Sequence, residues 1–531
     1  MDYQPLDHEY DALPYAFLTH RKTHPNYLAV MGSIFGMKPA QPEKCRVLEV
    51  GCAIGGNIIP MAYSLPESQI LGIDYSANQI QFGREAIESL GLGNIEMERL
   101  DIVETPSNLG VFDYIIAHGV YSWVPQPVRE SLLALCRRHL APQGIAYISY
   151  NTYPGWHMME MVREVMLFAS KNSADAKEIA NRSSHIIDFM IDGIPPGLTA
   201  YRSVFETYKR SMDSRKVIGS DEAVSLMFHD ELAAFNDPIY FRDFADHAAK
   251  HKLQYLSETN FAKVMNPRLT PEILKEIESM SDNLIDFEQF LDFLSNGSFR
   301  RTLLVHENVD INRRVRPENV RNFRFMSRAR PQSKDPDLSP EVKESFEGSD
   351  GAVFTSNHSL SKAAFLYLRE NQPKAIPFDT LFEGALNLIE GVDGLNLETE
   401  KHSVAASLLQ AYSYSSSLVD FESMDSRFIT EISDRPLASR VARWQVSKGF
   451  QPTNLRHERV EIDLLASTIL TSLDGTNNYD DLLNMVVSHY KEGLFKLPDD
   501  KVKDAGGPER LLAKELDTYL KFFARSGLLE A

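Results

Sequence analysis

The sequence predicts an α/β fold for the first part of the chain and a mainly helical second part. Short apolar segments with strand composition alternate with helical patterns from residue 46 to residue 151. A glycine-rich turn, GCAIGG, follows the first of these segments. Alternation of strands and helices favours a parallel sheet with right-handed crossovers. The predicted strands are 46–50, 69–74, 93–101, 112–119 and 144–151, and the predicted helices include 77–91 and 128–144.

A long helical segment interrupts the alternation. Residues 158–220 show mostly helical patterns, before a helix-then-strand unit returns at 237–259 and a further strand at 299–308. A connection of this length inside a domain is uncommon unless it has a function. Its methionine-rich faces fit either a homodimer interface or an internal core, and we expect the homodimer. The sheet domain is predicted over 1–157 and 221–312, with the helical insertion at 158–220.

The rest of the chain is predicted to form two further domains. A stretch rich in proline and charge at 328–351 indicates a linker or an exposed loop. We predict a middle domain, which we assign as regulatory, over 313–455 and a C-terminal domain over 456–531. Three helical patterns and a short terminal strand in the last domain are typical of a winged helix. It shows no basic recognition helix, so contact with protein or intramolecular packing is favoured over DNA binding.

Composition limits the partners and the location. The chain has 531 residues and a net charge of −19, which disfavours nucleic acid and favours either a lysine-bearing protein partner or solubility alone. We find no apolar run near the ~18 residues of a membrane span, and the acidic N-terminus shows no secretory signal. The three cysteines form no CxxC pair. We therefore expect a cytoplasmic protein without membrane insertion. His20 and His24 have i,i+4 spacing but no third ligand nearby, so we expect no metal site.

The glycine-rich turn predicts a bound cofactor of one of two classes. Gly51, Ala53 and Gly56 match the dinucleotide-binding pattern with one substitution, and Asp74 follows about 20 residues later, as in NAD-binding proteins. Glu49, at the end of the first strand, favours the second class. A carboxylate there attracts the ammonium group of S-adenosylmethionine and repels a pyrophosphate. The structural alternative is that the glycines form only a turn.

Acidic residues at successive strand ends extend the predicted cofactor site. Asp74 suits the ribose hydroxyls, because a carboxylate accepts from both, and Asp101 suits the adenine amino group. Strand-end aspartates also cap helices, which is the structural alternative. With the neighbouring residues, the predicted cofactor site comprises Glu49, Gly51, Ala53, Gly55, Asn57, Asp74, Tyr75, Asp101, Ile102 and His118.

The ends of the fourth and fifth strands predict the acceptor side of the site, because ligands of open α/β sheets bind at the carboxyl ends of strands. His118 can act as a base or orient the acceptor. Tyr121 and Trp123 can form an aromatic channel for an alkylammonium group through cation–π contacts. Ordinary packing is the alternative for each residue. We expect catalytic roles for His118, Tyr121 and Tyr153, and substrate contacts for Trp123, Asn151, Trp156 and His157.

These motifs resemble a known family. Their order is similar to that of class I methyltransferases, whose cofactor domain is Rossmann-like. More narrowly, the chain resembles a bacterial family with a methyltransferase regulatory domain, which includes rickettsial protein lysine methyltransferases that modify outer-membrane protein. Ala53 departs from the pattern, since most class I enzymes have glycine there. The resembling segments span nearly the whole chain and include YDALPY, THPNYLAVMGSIFGM, VLEVGCAIGGNIIPMA, GIDYSANQI, FDYIIAHGVYSWVP, YNTYPGWH and YFRDFADHAAKHKLQYL.

The resemblance implies a cofactor domain, a dimerisation domain, a middle domain and a C-terminal domain around an open cavity. It also implies an S-adenosylmethionine-dependent methyltransferase that acts on lysine side chains of a protein. One alternative is a methyltransferase for a small metabolite or natural product. Another is a non-catalytic protein that binds S-adenosylmethionine, although the acidic anchors are all retained. Methyl transfer from a sulfonium is an in-line displacement, so the site must align the nucleophile and exclude water.

Overall fold

The computed structural model describes residues 15–173, 176–215, 220–265, 269–389 and 394–530. Of the YDALPY motif only Tyr15 falls within these ranges, and two short parts of the predicted insertion, 174–175 and 216–219, lie outside them. Across the described ranges we find no helix that combines the length and the hydropathy needed to span a lipid bilayer.

A seven-stranded sheet forms the centre of the first domain. Its strands are β1 (Arg46–Val50), β2 (Gln69–Asp74), β3 (Ile95–Arg99), β4 (Phe112–Ala117), β5 (Leu140–Asn151), β6 (Leu253–Glu258) and β7 (Phe299–His306). They lie in the order β3-β2-β1-β4-β5-β7-β6. Strands β1 to β5 pair in parallel as predicted. Strand β7 is antiparallel to both β5 and β6, so the sheet is mixed and not wholly parallel.

The helices between the first strands follow the predicted alternation. Ser76 caps the helix after β2, and Gly91 ends it in the left-handed conformation. The helix predicted to reach residue 144 instead ends at His139, and β5 begins at Leu140. Pro142 explains the difference, because it lacks a donor and disfavours helix at the residue before it. Helix α1 (Pro25–Ile34) precedes β1, and the helices between the strands are α2 (Ile58–Ser64), α3 (Ala77–Leu90) and α4 (Gln126–His139).

The insertion is helical and has its own apolar core, which includes Met166, Phe205 and Tyr208. This core extends to Leu232, past the predicted end of the insertion at residue 220. The insertion comprises α5 (Trp156–Ser170), α6 (Ala176–Gly193), α7 (Thr199–Arg215), α8 (Ser220–Leu226) and a π-helical turn, Met227–Glu231. The chain then returns to the sheet through α9 (Phe241–Lys250), α10 (Phe261–Met265), α11 (Pro271–Met280) and α12 (Leu284–Ser295).

The second half combines helices with small sheets. The middle region contains β8 (Arg324–Met326), β9 (Arg330–Pro331), β10 (Glu344–Glu347), β11 (Val353–Ser356), α13 (Ser359–Glu370), β12 (Ile376–Pro377), α14 (Phe378–Leu386), α15 (Leu397–Tyr414) and β13 (Asp420–Glu422). The C-terminal region contains β14 (Leu437–Ala438), α16 (Arg440–Ser447), α17 (Leu464–Thr471), α18 (Tyr479–Lys491), α19 (Asp499–Ala505), α20 (Pro508–Arg525) and β15 (Leu529–Glu530). Antiparallel pairing of β14 with β15 completes the predicted winged-helix arrangement.

Partly buried ion pairs connect the N-terminal segment to both later regions. Arg21 contacts Asp420 of β13 and lies 3.3 Å from Glu458. Arg456 lies 2.7 Å from Glu422, and both side chains are almost fully buried. Because removing one partner of a buried ion pair leaves an uncompensated charge, these contacts fix the segment around residue 20 against the rest of the chain.

Candidate active site

A cavity lies at the carboxyl ends of β1, β2 and β4, where ligands of such sheets bind. Gly55 is the one predicted cofactor residue that does not line it; a Cβ at this position would meet Ile59 of α2 at 2.7 Å, so Gly55 permits close packing of the turn on the helix. The predicted residues that line the cavity are Glu49, Gly51, Ala53, Asn57, Asp74, Tyr75, Asp101, Ile102, His118 and Trp123.

The turn after β1 is shaped by residues with positive φ. Gly51 has a φ of 72°, and a Cβ there would meet Val120 at 2.6 Å, so only glycine fits. Ala53 has a φ of 49°, a left-handed conformation that costs a non-glycine residue roughly 1–2 kcal/mol. Its backbone N–H donates to Oδ2 of Asp74 at 2.9 Å. The turn thus brings the carboxylate of β2 against the end of β1.

The carboxylate of Glu49 is buried beside the cavity. Its Oε1 accepts a hydrogen bond from Nδ2 of Asn57 at 2.7 Å, while Oε2 accepts none from the described part of the chain. Burial raises the pKa of Glu49 to about 8. A cationic ligand group beside Oε2 would satisfy this oxygen and favour the ionised carboxylate.

Asn57 connects Glu49 to distant parts of the chain. Its Nδ2 also donates to Oγ1 of Thr23 at 2.9 Å, and its Oδ1 accepts from the backbone N–H of His20 at 2.9 Å. The same Oδ1 lies 2.8 Å from Nε2 of His457, which comes from the C-terminal domain. The side chain makes no capping hydrogen bond to α2, and it instead orients Glu49.

The aspartates at the ends of β2 and β3 are held by backbone amides. Oδ1 of Asp74 accepts from Ser76 N–H at 2.9 Å, and its Oδ2 accepts from Ala53. Oδ1 of Asp101 accepts from Val103 N–H at 2.9 Å and begins the helical turn Ile102–Glu104. Backbone amides therefore hold both carboxylates in position at this edge of the sheet.

His118 follows β4 and lies in a group of polar rings with His20 and Tyr147. Its Nδ1 is 2.9 Å from the hydroxyl of Tyr147 on β5, and its ring centroid is 3.7 Å from that of His20. Burial places the pKa of His118 well below its ordinary value, and His20 and Arg301 add to this effect. Burial also lowers the pKa of His20, to about 4. Both rings are neutral at pH 7, so either ring can accept a hydrogen bond and neither adds positive charge to this end of the cavity.

The N-terminal segment closes one side of the cavity, which the sequence patterns do not indicate. Tyr15 donates from its backbone N–H to Gln79 of α3 and from its hydroxyl to Asp230, each over 3.3 Å. Motif spacing carries no signal for these contacts, because the Tyr15–Asp230 pair is separated by 215 positions. The lining residues missed by the sequence analysis include Tyr15, Leu18, His20, Gln79, Val120, Val128, His229 and Asp230.

Tyr121 does not wall the cavity, which corrects its prediction as a catalytic residue. It is fully buried in the helical turn Tyr121–Trp123, and its hydroxyl lies 2.7 Å from Nδ1 of His247. The guanidinium of Arg129 lies 4.9 Å from the centre of its ring. Tyr121 thus packs between the sheet and α9, while Trp123 in the same turn does line the cavity.

The residues that follow β5 form a second group outside the cavity lining. The catalytic role predicted for Tyr153 and the substrate contacts predicted for Asn151, Trp156 and His157 therefore do not lie at the cavity. Asn151 is buried and donates from Nδ2 to Asn236 at 3.1 Å, and Trp156 is buried at the start of α5. The ring of Tyr153 stacks on His157 with centroids 4.1 Å apart, and its hydroxyl donates to Glu160 at 2.5 Å.

The carboxylates that line the cavity match the polar groups of S-adenosylmethionine. Glu49 offers an unsatisfied buried oxygen for an ammonium group, and Asp74 offers two oxygens for a pair of ribose hydroxyls. Asp101 lies farther along the same wall. A dinucleotide would place its anionic pyrophosphate against Glu49, which would then stay protonated and gain no ion pair.

Comparison with known proteins identifies three parts of the chain. Residues 47–144 match the family described as "Methyltransferase domain". Residues 434–528 match "PKMT, C-terminal winged helix domain". Residues 223–306 match "Predicted methyltransferase regulatory domain". The last match covers β6 and β7 and does not include the 313–455 region that we assigned as regulatory; our domain boundaries themselves stay a prediction.

Whole-chain similarity extends to solved structures. The structure of PKMT2 from Rickettsia typhi in complex with AdoHcy is 28% identical, covers 97% of this chain and 100% of that chain, and has a TM-score of 0.83. The uncharacterized protein RP789 of Rickettsia prowazekii is 28% identical over 96% of this chain and 91% of its own length. The uncharacterized protein RP028 of the same organism is 35% identical over 46% of this chain and 96% of its own length. With the cavity described above, these matches show that the chain is an S-adenosylmethionine-dependent class I methyltransferase and belongs to the rickettsial PKMT-like family, with its regulatory and winged-helix domains.

Proposed function

We propose that the protein transfers methyl groups from S-adenosylmethionine to lysine side chains of a protein substrate. The observation that carries this proposal is the similarity to PKMT2 over 97% of the chain, including the winged-helix domain. PKMT abbreviates protein lysine methyltransferase, and similarity over all domains supports a shared acceptor class better than similarity of the cofactor domain alone.

Residues at the ends of β1, β2 and β3 hold the cofactor in this proposal. Glu49, oriented by Asn57, binds the ammonium group, Asp74 binds the ribose hydroxyls, and Asp101 lies at the adenine end. Tyr75 and Ile102 line the same wall. When bound, S-adenosylmethionine supplies an electrophilic methyl group on its sulfonium.

His118 positions the acceptor amine. A lysine amine must lose a proton before it attacks, from an unperturbed pKa of about 10.4. Burial and the nearby guanidinium of Arg301 disfavour the ammonium form of a lysine that enters this region. The imidazole of His118 is neutral at pH 7, because burial depresses its pKa. In the tautomer whose Nδ1–H donates to the Tyr147 hydroxyl, Nε2 accepts a hydrogen bond from the incoming amine and fixes its direction.

Aromatic groups guide the lysine-bearing segment towards the cavity. Trp123 lines the cavity itself, and its indole can contact the lysine stem. Outside the cavity, Tyr153 and His157 lie with Tyr240 in a cluster that is partly open to solvent. This cluster can contact residues that flank the lysine. The net charge of −19 favours encounter with a cationic partner.

We further propose a homodimer formed through the helical insertion. The support is the exposure of large apolar side chains there: Phe168 is 71% exposed and Phe189 is 61% exposed. The three cysteines are free and buried, which supports the expected cytoplasmic, reducing location.

Blocking lysines in the acceptor tests the proposed function. The full-length protein is incubated with methyl-tritiated S-adenosylmethionine and a bacterial protein extract, before and after chemical acetylation of the extract's lysines. We expect label in the untreated proteins and loss of most label after acetylation. The variant Asp74→Ala, in which cofactor binding is weakened by about 1.5–3 kcal/mol, serves as the low-activity control. Undiminished labelling of the acetylated extract would overturn lysine as the acceptor.

A further inference from the structure

Three side chains of metal-ligand type converge on the side of the sheet occupied by α4 and α9, outside the cavity lining. Glu130 lies on α4, His247 lies on α9, and His251 follows the last residue of α9. Oε1 of Glu130 is 3.1 Å from Nε2 of His247, and Oε2 is 2.8 Å from Nε2 of His251. The ligand atoms all lie within 4.8 Å of one another. Ligands that share one tetrahedral ion at bond lengths of about 2.1 Å are separated by roughly 3.4 Å.

The positions in the chain explain why the two imidazoles point the same way. His247 and His251 are four residues apart, so they lie one turn apart on the same face of the helix. Their rings are 5.3 Å apart, between centroids. Glu130 reaches them from the neighbouring helix and is about half exposed. One position at this group therefore faces solvent and is open to water.

His247 is held in place by a partner on its other nitrogen. Its side chain is 6% exposed, and its Nδ1 lies 2.7 Å from the hydroxyl of Tyr121. A hydrogen bond to the second ring nitrogen is the usual way in which proteins orient a metal-binding histidine. Nε2 of His247 is buried and makes no hydrogen bond within the described ranges, although Glu130 is close. A buried nitrogen of this kind, aimed at a carboxylate and a second imidazole, has the environment of a metal ligand.

We propose that Glu130, His247 and His251 bind one divalent first-row transition metal ion, of the zinc class. Two imidazole nitrogens and one carboxylate oxygen suit such an ion better than Mg²⁺ or Ca²⁺, which prefer oxygen ligands. The ion joins α4 to α9 and fixes His247, whose Nδ1 contacts the hydroxyl of Tyr121. Because Trp123 in the same turn lines the cofactor cavity, the ion has a structural role beside the active site and takes no part in methyl transfer.

Metal titration of the full-length protein tests this site. The protein is freed of metal by dialysis against a chelator and titrated with Co²⁺, followed by its visible absorption, and with Zn²⁺, followed by calorimetry. We expect about one ion per chain and an affinity loss of at least about tenfold in His251→Gln and in Glu130→Gln. Both altered side chains are partly exposed, so the variants should stay folded, which their thermal midpoints without metal check.

A surface histidine provides the matched control. His402 is about half exposed, and its Nδ1 lies 2.6 Å from a single carboxylate, that of Glu318. We expect His402→Gln to bind metal like the wild type. We also expect Zn²⁺ to raise the thermal midpoint of the wild type and of His402→Gln but not that of His251→Gln. Failure of the wild type to bind either ion below millimolar concentration would overturn the site, and so would equal affinity in the wild type, His251→Gln and Glu130→Gln.

Discussion

Nδ2 of Asn57 donates to Oε1 of Glu49 at 2.7 Å, and this contact connects the cofactor cavity to both ends of the chain. The oxygen of the same amide accepts from His20 and lies 2.8 Å from His457. One asparagine thus joins the first strand, the N-terminal segment and the C-terminal domain. The second oxygen of Glu49 remains for the ligand.

The pKa of Glu49 predicts that cofactor affinity depends on pH. Burial raises this pKa to about 8 in the ligand-free protein, so binding of an ammonium group requires loss of the Glu49 proton. AdoHcy affinity should therefore rise as pH increases from about 6 to about 8, by up to about tenfold per pH unit. Titration calorimetry of the wild type and of Glu49→Gln at several pH values measures this slope. Glu49→Gln should bind more weakly and with little pH dependence; an unchanged slope in that variant would show that another group titrates.

The raised pKa of Glu49 predicts that the ligand-free protein loses stability as the pH rises. Between about pH 4.5 and about pH 8 the folded protein holds a proton on Glu49 that the unfolded chain has released. This carboxyl therefore contributes its full stabilisation below about pH 4.5. That part of the free energy of unfolding is lost as the pH rises to about 8. Ligand-free Glu49→Gln should lack this loss, which urea unfolding at the two pH values measures.

The left-handed conformation of Ala53 predicts that glycine stabilises the protein at this position. Glycine adopts a φ of 49° without the steric cost of a Cβ, so Ala53→Gly should raise the free energy of unfolding by about 1 kcal/mol. The control is Ala86→Gly in the middle of α3, which should lower it by about 1 kcal/mol. Urea unfolding compares the three proteins. A loss of stability in Ala53→Gly would mean that the methyl group makes packing contacts that outweigh the backbone cost.

His118 should affect turnover more than cofactor binding. His118→Gln removes the imidazole that we place against the acceptor amine, so single-turnover methyl transfer should slow at least about tenfold, or about 1.4 kcal/mol in the barrier. AdoHcy affinity should fall by less. His402→Gln, a half-exposed surface histidine paired with Glu318, is the control and should keep its turnover. Equal losses of affinity and rate in His118→Gln would assign the residue to cofactor binding alone.

Charged residues on the insertion should separate the proposed dimer. The double variant Phe168→Glu, Phe189→Glu places charges on the two most exposed phenylalanines of the insertion, and light scattering should show monomers. Leu464→Glu, at a 61% exposed position of the C-terminal domain, is the control and should leave the dimer intact. A wild-type protein that is already monomeric at micromolar concentration would contradict the dimer.

The order of strand and helix patterns in the sequence predicts much of the fold and several of the residues that line the cofactor cavity. Strands β1 to β5 alternate with helices in sequence, so hydrophobic patterns predict their order and their parallel pairing. Glu49, Asp74 and Asp101 were predictable because each lies within two residues of the end of a strand, and the carboxyl ends of parallel strands meet at one edge of a sheet. Ala53 matches the turn pattern, but its strained backbone is visible only in the structure.

Contacts between distant segments could not be predicted in this way. His457 and Asn57 are separated by 400 positions, and Glu130 and His251 by 121. No periodicity connects such pairs, so neither the polar network behind Glu49 nor the histidine group beside α4 follows from motif spacing. The direction of the Tyr121 side chain could not be predicted either. It lies in a single helical turn, and the conformation of that turn directs its ring into the core and not into the cavity.

Identification of the methylated amino acid decides whether the acceptor is lysine. Proteins labelled by the full-length enzyme with methyl-tritiated S-adenosylmethionine are hydrolysed to amino acids and separated against methylated standards. We expect the label to elute with mono-, di- or trimethyllysine and to be strongly reduced with Asp74→Ala. Label in methylarginine, in another methylated amino acid or in a small molecule of the extract, with no methyllysine, would contradict this expectation.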